Sequence, residues 1–303
     1  NLGQLKICRL RMLTLKIWRI LLDLLTTLIS KRGLSDLSFG ISHTIISQVF
    51  LLNEINPLNN NLVGVLLCGG KGERMKPFTL TNNKVMLQVG GKTLLDLHIE
   101  AFVSSKVKKI LLICNSHINL VKEHVKKNYP RLEIMYFLEE NPNGAINALK
   151  LVRDYLVNEN VYLRFSDNYT SFEISKSINL LHENNSSING ATVLTKYDDK
   201  PQFFGVCIFD NKGRIKGFIE KPNPSPSNIV LGGIYYFDRN LTIFMDKLSD
   251  KEKNYSIIDL LNFYNSESTV NEFRVDESGW IDCGTSEGLD KARLYQKGCE
   301  SEL

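Results

Sequence analysis

A short stretch of this chain joins three glycines to two cations: Gly69, Gly70 and Gly72 are followed by Arg74 and then Lys84. Glycine lets backbone N–H groups approach a ligand with no Cβ in the way. Successive N–H groups in such a turn make a concave anion site, and two full positive charges beside it suit a polyphosphate. Two other phosphate loops fail on named residues. A Walker A loop ending at Gly91-Lys92-Thr93 needs a glycine where Met86 stands. A Gly-x-Gly-x-x-Gly dinucleotide loop starting at Gly70 needs one at Met75.

Carboxylates form the second group. Asp167 lies in Ser166-Asp167-Asn168, and Asp282 in Trp280-Ile281-Asp282-Cys283-Gly284-Thr285. Two carboxylates joined by phosphate oxygens suit Mg²⁺, which binds proteins through one or two carboxylates plus substrate phosphates. Taken singly, a strand-end aspartate is more often a helix cap or turn former. Glu220-Lys221-Pro222 offers a carboxylate that can accept from two vicinal hydroxyls and an ammonium that neutralises a phosphate. Alone, that pair reads as an ordinary solvated one.

The elements that must position these groups alternate. Val63–Leu67, 108–114, 132–138 and 161–165 have the continuous apolar character of buried strands, and Val85–Val89 reads as a short one. Between them Thr93 caps a helix over 94–104, 118–128 is helical, and Asn143 caps a helix running to about Val157. Strands alternating with helices argue for a mostly parallel sheet covered on both faces. Ligands bind such sheets at the carboxyl ends of the strands, where Gly69-Gly70 and Asp167 both fall. After residue 190 the pattern turns to strands with less helix: 191–196, 203–209, 214–220 and 229–237, with Asp210-Asn211-Lys212-Gly213 as a hairpin turn. A mixed-sheet extension there would form a second substrate pocket. Short extended pieces at 273–275 and 280–282 precede a last helix capped by Thr285.

The 303 residues carry 43% hydrophobic and 23% charged side chains, a globular composition. The formal charge of +4 comes from residues 1–60, where seven basic residues face three acidic ones, leaving thirty of each in the rest. A neutral body gives no nucleic-acid footprint. Six cysteines without zinc spacing read as reduced thiols of a cytoplasmic protein. Residues 5–30 show an amphipathic helical pattern, with Leu10, Leu13, Ile17, Leu21, Leu24 and Leu28 on one face. It suits docking on this chain or on a partner subunit, with an anionic membrane surface as the alternative. No run is apolar enough for a membrane span. The organisation expected is an unassigned, partly helical extension over 1–60 and one catalytic domain over 61–303.

The run Gly69-Gly70-Lys71-Gly72-Glu73-Arg74-Met75-Lys76-Pro77-Phe78-Thr79, then Asn83-Lys84, resembles the signature of sugar-1-phosphate nucleotidylyltransferases, Gly-Gly-x-Gly-(Thr/Ser)-Arg-(Leu/Met)-x-Pro-x-Thr followed by Pro-Lys. The likeness extends from residue 62 to about 296. It implies an α/β, Rossmann-like three-layer nucleotidyltransferase fold with a mixed, mostly parallel sheet. It also implies an enzyme that makes an NDP-sugar and pyrophosphate from an NTP and a sugar 1-phosphate. Mg²⁺ would be the cofactor, on Asp167 and Asp282. Arg74, Lys84 and Lys221 would be the catalytic cations. Leu67, Gly69, Gly70, Gly72, Arg74, Lys84, Glu139 and Gly144 would hold the nucleotide, and Gly205, Glu220, Lys221 and Tyr235 the sugar phosphate. Tyr235 is equally well read as a core tyrosine.

In thymidylyl members a Gln-x-x-Pro-x-Gly segment reads the base, and it maps onto Glu139, Pro142 and Gly144. A carboxylate only accepts hydrogen bonds. It therefore suits guanine, while the second half of the chain resembles the thymidylyl branch; dTTP and GTP both stand as substrates. Glu73 in place of Thr/Ser puts an anion near phosphates, and Asn83 in place of proline is expected to loosen the approach of Lys84. A homo-oligomer is the expected assembly. A non-catalytic sugar-nucleotide-binding subunit of the same fold is the rival reading; loss of Arg74, an aspartate or Lys221 would have favoured it.

Overall fold

The structure, a computed structural model, describes residues 62–70, 72–171, 190–248, 255–276 and 279–301. The extension expected over 1–60 lies outside the described residues. β1 (Leu62–Cys68) is buried along almost its whole length because both of its faces are covered. Leu62, Leu66 and Cys68 enter one apolar layer, while Val63 and Val65 enter the other. Side chains alternating across one strand thus seed both cores. The first layer is closed by α1 (Leu94–Ser104), α2 (Ile118–Asn128) and α6 (Ser286–Ser301). The second is closed by α3 (Ala145–Leu151), α4 (Leu241–Lys247) and α5 (Ile257–Glu267). Helices on both faces of one sheet give three layers, as the sequence pattern predicts.

β1 pairs in parallel with β4 (Lys109–Cys114) on one side and β6 (Asn160–Phe165) on the other, and β4 with β5 (Ile134–Leu138). The order β6-β1-β4-β5 therefore sets four carboxyl ends side by side. The second-half strands do not form a separate cover. β11 (Ile229–Phe237) runs antiparallel to β6 and carries β8 (Ala191–Tyr197) and β9 (Gly205–Phe209). β10 (Ile215–Glu220) and β12 (Val270–Val275) complete the nine-stranded sheet.

Local signals explain most boundaries. Thr93 accepts from the Asp96 N–H while Asp96 accepts from Thr93, a reciprocal cap that starts α1 at Leu94. Ser256 and Asp259 do the same for α5. Three expectations are corrected. The strand expected over 85–89 is a 3-10 turn, Lys84–Met86, followed by the two-residue β2 (Gln88–Val89), which pairs with β3 (Lys92–Thr93). The helix after residue 143 is capped by Gly144, not Asn143, and ends at Leu151, with a 3-10 turn at Arg153–Tyr155. A strand the pattern did not signal, β7 (Asn168–Thr170), pairs antiparallel with β13 (Trp280–Asp282).

Candidate active site

The four parallel strand ends carry, in spatial order, Asp167 after β6, Gly69-Gly70 after β1, Asn115 after β4 and Glu139 after β5. The β7–β13 ribbon supplies the remaining acid. Asp282 stands opposite Asn168, and the Cys283 N–H donates to the Asp167 carbonyl at 2.7 Å. The Asn168 amide donates to Asp167 Oδ1 at 3.1 Å and accepts from the Trp280 indole at 2.7 Å. Asn168 thus holds one aspartate while locking the strand that presents the other.

Cations and acids meet at Gly284. A Cβ added there would lie 2.8 Å from Asp282 Oδ1, 3.1 Å from Arg74 Nη2 and 3.2 Å from Asp167 Oδ2. Lys84 Nζ pairs with Asp167 Oδ2 at 2.5 Å. Burial, and then the Asp167 charge beside it, raises the pKa of the Asp282 carboxyl; the Gly284 N–H, Arg74 and Lys84 pull the other way. Two acids of like charge are therefore held together at a cost, which a cation would relieve. Among the described residues no group of three or more His, Cys, Asp or Glu could hold a metal ion. Two carboxylates are nevertheless what Mg²⁺ takes from a protein when phosphate oxygens complete its shell, so the donor set fits a nucleotide-borne ion.

Glu139 is buried at the far end of this row, and its backbone N–H donates to the Cys114 carbonyl. Its carboxylate lies against Gly69, where a Cβ would fall 1.9 Å from Oε2, so a side chain there would displace the carboxylate. Burial raises its pKa, and the Asn143 N–H bonded to it acts in the opposite sense. Gly70 is exposed, with open space where a Cβ would stand. Gly144 opens α3, and Leu67, the penultimate residue of β1, is partly exposed.

The expectation for Asn83 is reversed. It is fully buried, and its amide donates to the Cys68 carbonyl at 2.9 Å and to Asn115 Oδ1 at 3.0 Å. Its Oδ1 accepts the Val85 N–H and caps the turn bearing Lys84. Asparagine therefore ties the glycine loop, the end of β4 and Lys84 together. Asn115, which the sequence reading missed, also donates to the Gly70 carbonyl; its only signal was its place after an apolar strand. The side chain of Glu73 lies outside the described residues.

Gly205 and Glu220 face each other across the β9–β10 hairpin. Lys221 follows with φ +45°, a left-handed backbone that non-glycine residues rarely adopt, and its N–H is held by the Phe204 carbonyl. Its exposed ammonium lies 3.4 Å from Glu220. Tyr235 is buried against Phe165 and Phe237. The charges of Glu220 and Asp167 add to burial in raising its hydroxyl pKa, so that hydroxyl lies within the field of both groups. Phe204 meets Trp280 edge to face, joining this hairpin to the β7–β13 ribbon.

The sequence profile of the nucleotidyl transferase family matches residues 63–297. The chain belongs to the nucleotidyl transferase family. This nucleotidyl transferase is 28% identical over 234 residues to a UTP–glucose-1-phosphate uridylyltransferase of Haloferax volcanii, across 75% of this chain and 93% of that one. It is 29% identical over 188 residues to the catalytic subunit beta of mannose-1-phosphate guanylyltransferase of Drosophila melanogaster, across 60% of this chain and 50% of the relative's length. A crystal structure from Bacillus anthracis, assigned as a glucose-1-phosphate thymidylyltransferase and in complex with sucrose, superposes with a TM-score of 0.71. The identity there is 25%, over 78% of this chain and 95% of that one. Family and three-layer fold agree with the sequence reading. No helix among the described residues is long and apolar enough to cross a membrane.

Proposed function

We propose that this nucleotidyl transferase joins a nucleoside triphosphate, dTTP or GTP, to a sugar 1-phosphate and releases pyrophosphate. The observation that carries the reading is the convergence of Arg74, Asp167 and Asp282 at Gly284, with Lys84 on Asp167, beside a glycine loop at parallel strand ends. An oxygen of the sugar phosphate attacks the α-phosphorus, and the bond from that phosphorus to the bridging oxygen of the departing pyrophosphate breaks. A phosphate monoester is already a nucleophile, so the residues position and neutralise rather than move protons. Arg74 holds the leaving pyrophosphate, Lys221 the attacking phosphate, and Glu220 the sugar hydroxyls. Lys84 serves the α-phosphate, for which its ammonium must share or leave Asp167. Mg²⁺, when bound by Asp167 and Asp282, would polarise the nucleotide phosphates as a Lewis acid. Pyrophosphate release across a matrix of dTTP, GTP and UTP with several sugar 1-phosphates tests the reading; no release with any pair would overturn it.

Two further results are expected. Lys221→Ala raises KM for the sugar 1-phosphate, on the order of tenfold, and leaves KM for the nucleotide nearly unchanged, because its ammonium sits at the hairpin and not at the glycine loop. Initial rates with each substrate varied in turn check this, and an effect on the nucleotide alone would move Lys221 to the other subsite.

Glu139 is proposed as the base reader. Ionised, it offers two acceptors to the adjacent N–H donors of guanine; protonated, it offers one donor and one acceptor, as glutamine does, and suits thymine or uracil. Because burial raises its pKa, it takes up its proton at higher pH than an exposed carboxyl. The GTP/dTTP ratio of kcat/KM should therefore fall as pH falls toward the acid range. Glu139→Gln should lower that ratio at neutral pH by roughly ten- to a hundredfold, the worth of one unmet buried polar group. A ratio indifferent to both changes would retire Glu139 as the reader.

A further inference from the structure

Arg164 and His98 form a buried polar cluster that the reaction does not use. Arg164 lies on β6, on the face that packs Tyr162 against Phe102 of α1, and it is 1% exposed. Its three recorded acceptors are neutral: Nε donates to His98 Nδ1 at 2.8 Å, Nη1 to the Tyr162 hydroxyl and Nη2 to Thr170 Oγ1 at 2.7 Å. Among the described residues no carboxylate pairs with it. A buried guanidinium without a counter-ion is expensive, and an apolar residue would fill the layer at less cost.

The hydrogen bonds show what it does. Because His98 Nδ1 accepts from a guanidinium, the imidazole carries its proton on Nε2. That nitrogen lies 3.2 Å from the Ser166 carbonyl and donates to it. The Ser166 N–H is held on the other side by the Leu67 carbonyl. Ser166, the residue leading into Asp167, is thus held at both of its backbone groups, its N–H by the glycine-loop strand and its carbonyl by α1 through His98. Arg164 also reaches Thr170 on β7, the strand that registers Asp282 opposite Asn168.

We propose that His98 and Arg164 are positioning residues for the cation site: Arg164 sets the imidazole tautomer, and His98 orients the Ser166–Asp167 peptide so that Asp167 meets Asp282. This rests on the reading of the two aspartates as the Mg²⁺ ligands. Burial, and then the guanidinium charge, keeps His98 unprotonated, in accord with its donor role. Outer-shell partners of this kind typically contribute ten- to a hundredfold to metal affinity or activity.

The test is Mn²⁺ binding to the full chain in the presence of a nucleoside triphosphate, followed by electron paramagnetic resonance, beside steady-state kinetics. His98→Leu should weaken Mn²⁺ binding about tenfold or more and lower kcat, with both substrate KM values little changed. His98→Gln, whose amide can donate to Ser166, should recover most of both. If His98→Leu fails to fold, His98→Asn, too short to reach that carbonyl, takes its place with the same expected loss. Parental Mn²⁺ affinity in a folded His98→Leu or His98→Asn protein would overturn the proposal, as would a His98→Gln protein no better than His98→Leu. Asp167→Asn is the control. Undiminished Mn²⁺ binding there would remove the carboxylate reading itself, whereas weakened binding in Asp167→Asn with none in His98→Leu would remove only the role of His98.

Discussion

Asp282→Asn is expected to abolish most turnover, on the order of 10²–10³ in kcat, while raising the melting temperature of the protein without substrate. The two effects share one cause. Asp282 is partly buried beside Asp167, and both features raise its pKa. A carboxyl whose folded pKa exceeds its unfolded one destabilises the fold; the cost is full above the folded value, shrinks as pH falls below it and is gone below the unfolded value. Asparagine removes the charge, keeps an oxygen able to accept the Gly284 N–H, and so relieves the repulsion at neutral pH. It also removes half of the charge offered to a cation. Activity bought at the expense of stability is a recurrent property of catalytic carboxylates. Thermal melts and pyrophosphate release on one preparation check this, and a mutant that turns over at the parental rate would sink the assignment of Asp282.

Gly284→Ala should be nearly as damaging to turnover, roughly a hundredfold, although it adds one methyl group and no charge. The new carbon would stand 2.8 Å from Asp282 Oδ1 and close to Arg74 and Asp167. A separation under 3.0 Å forces something to shift, and the groups that can shift are the proposed reacting ones. Misplacement by about 1 Å costs on the order of 10²-fold when catalysis is mostly positioning. Retained stability with lost turnover is the expected pattern, measured by melts and kcat. A fully active Gly284→Ala protein would show that Asp282 and Arg74 need not hold this arrangement.

Much of this was legible in the residues. The strand–glycine–cation run and the two aspartate segments named the family, and the helix start at Leu94 could be read from the threonine that caps it. What escaped was carried by side-chain hydrogen bonds across distant segments. Asn83 looked like the loss of a rigid proline, yet its amide makes contacts to Cys68 and Asn115 that no local pattern announces. β7 is three residues long, too short for periodicity to reveal, and it forms because Trp280 and Asn168 find each other. Arg164 belongs to no motif, and only its burial marks it.

The β7–β13 ribbon also bears on the order in which the site comes together as the chain folds. Asn168 and Trp280 are 112 residues apart in sequence, whereas the glycine loop, β4 and β6 are all made before residue 170. Contacts so distant along the chain form late, after the loop-closure entropy between them has been overcome. On the proposed reading, a chain folded only through β6 offers Arg74 and Lys84 without the second acid. The acid pair of the proposed site is then completed by the long-range contact of Trp280 with Asn168.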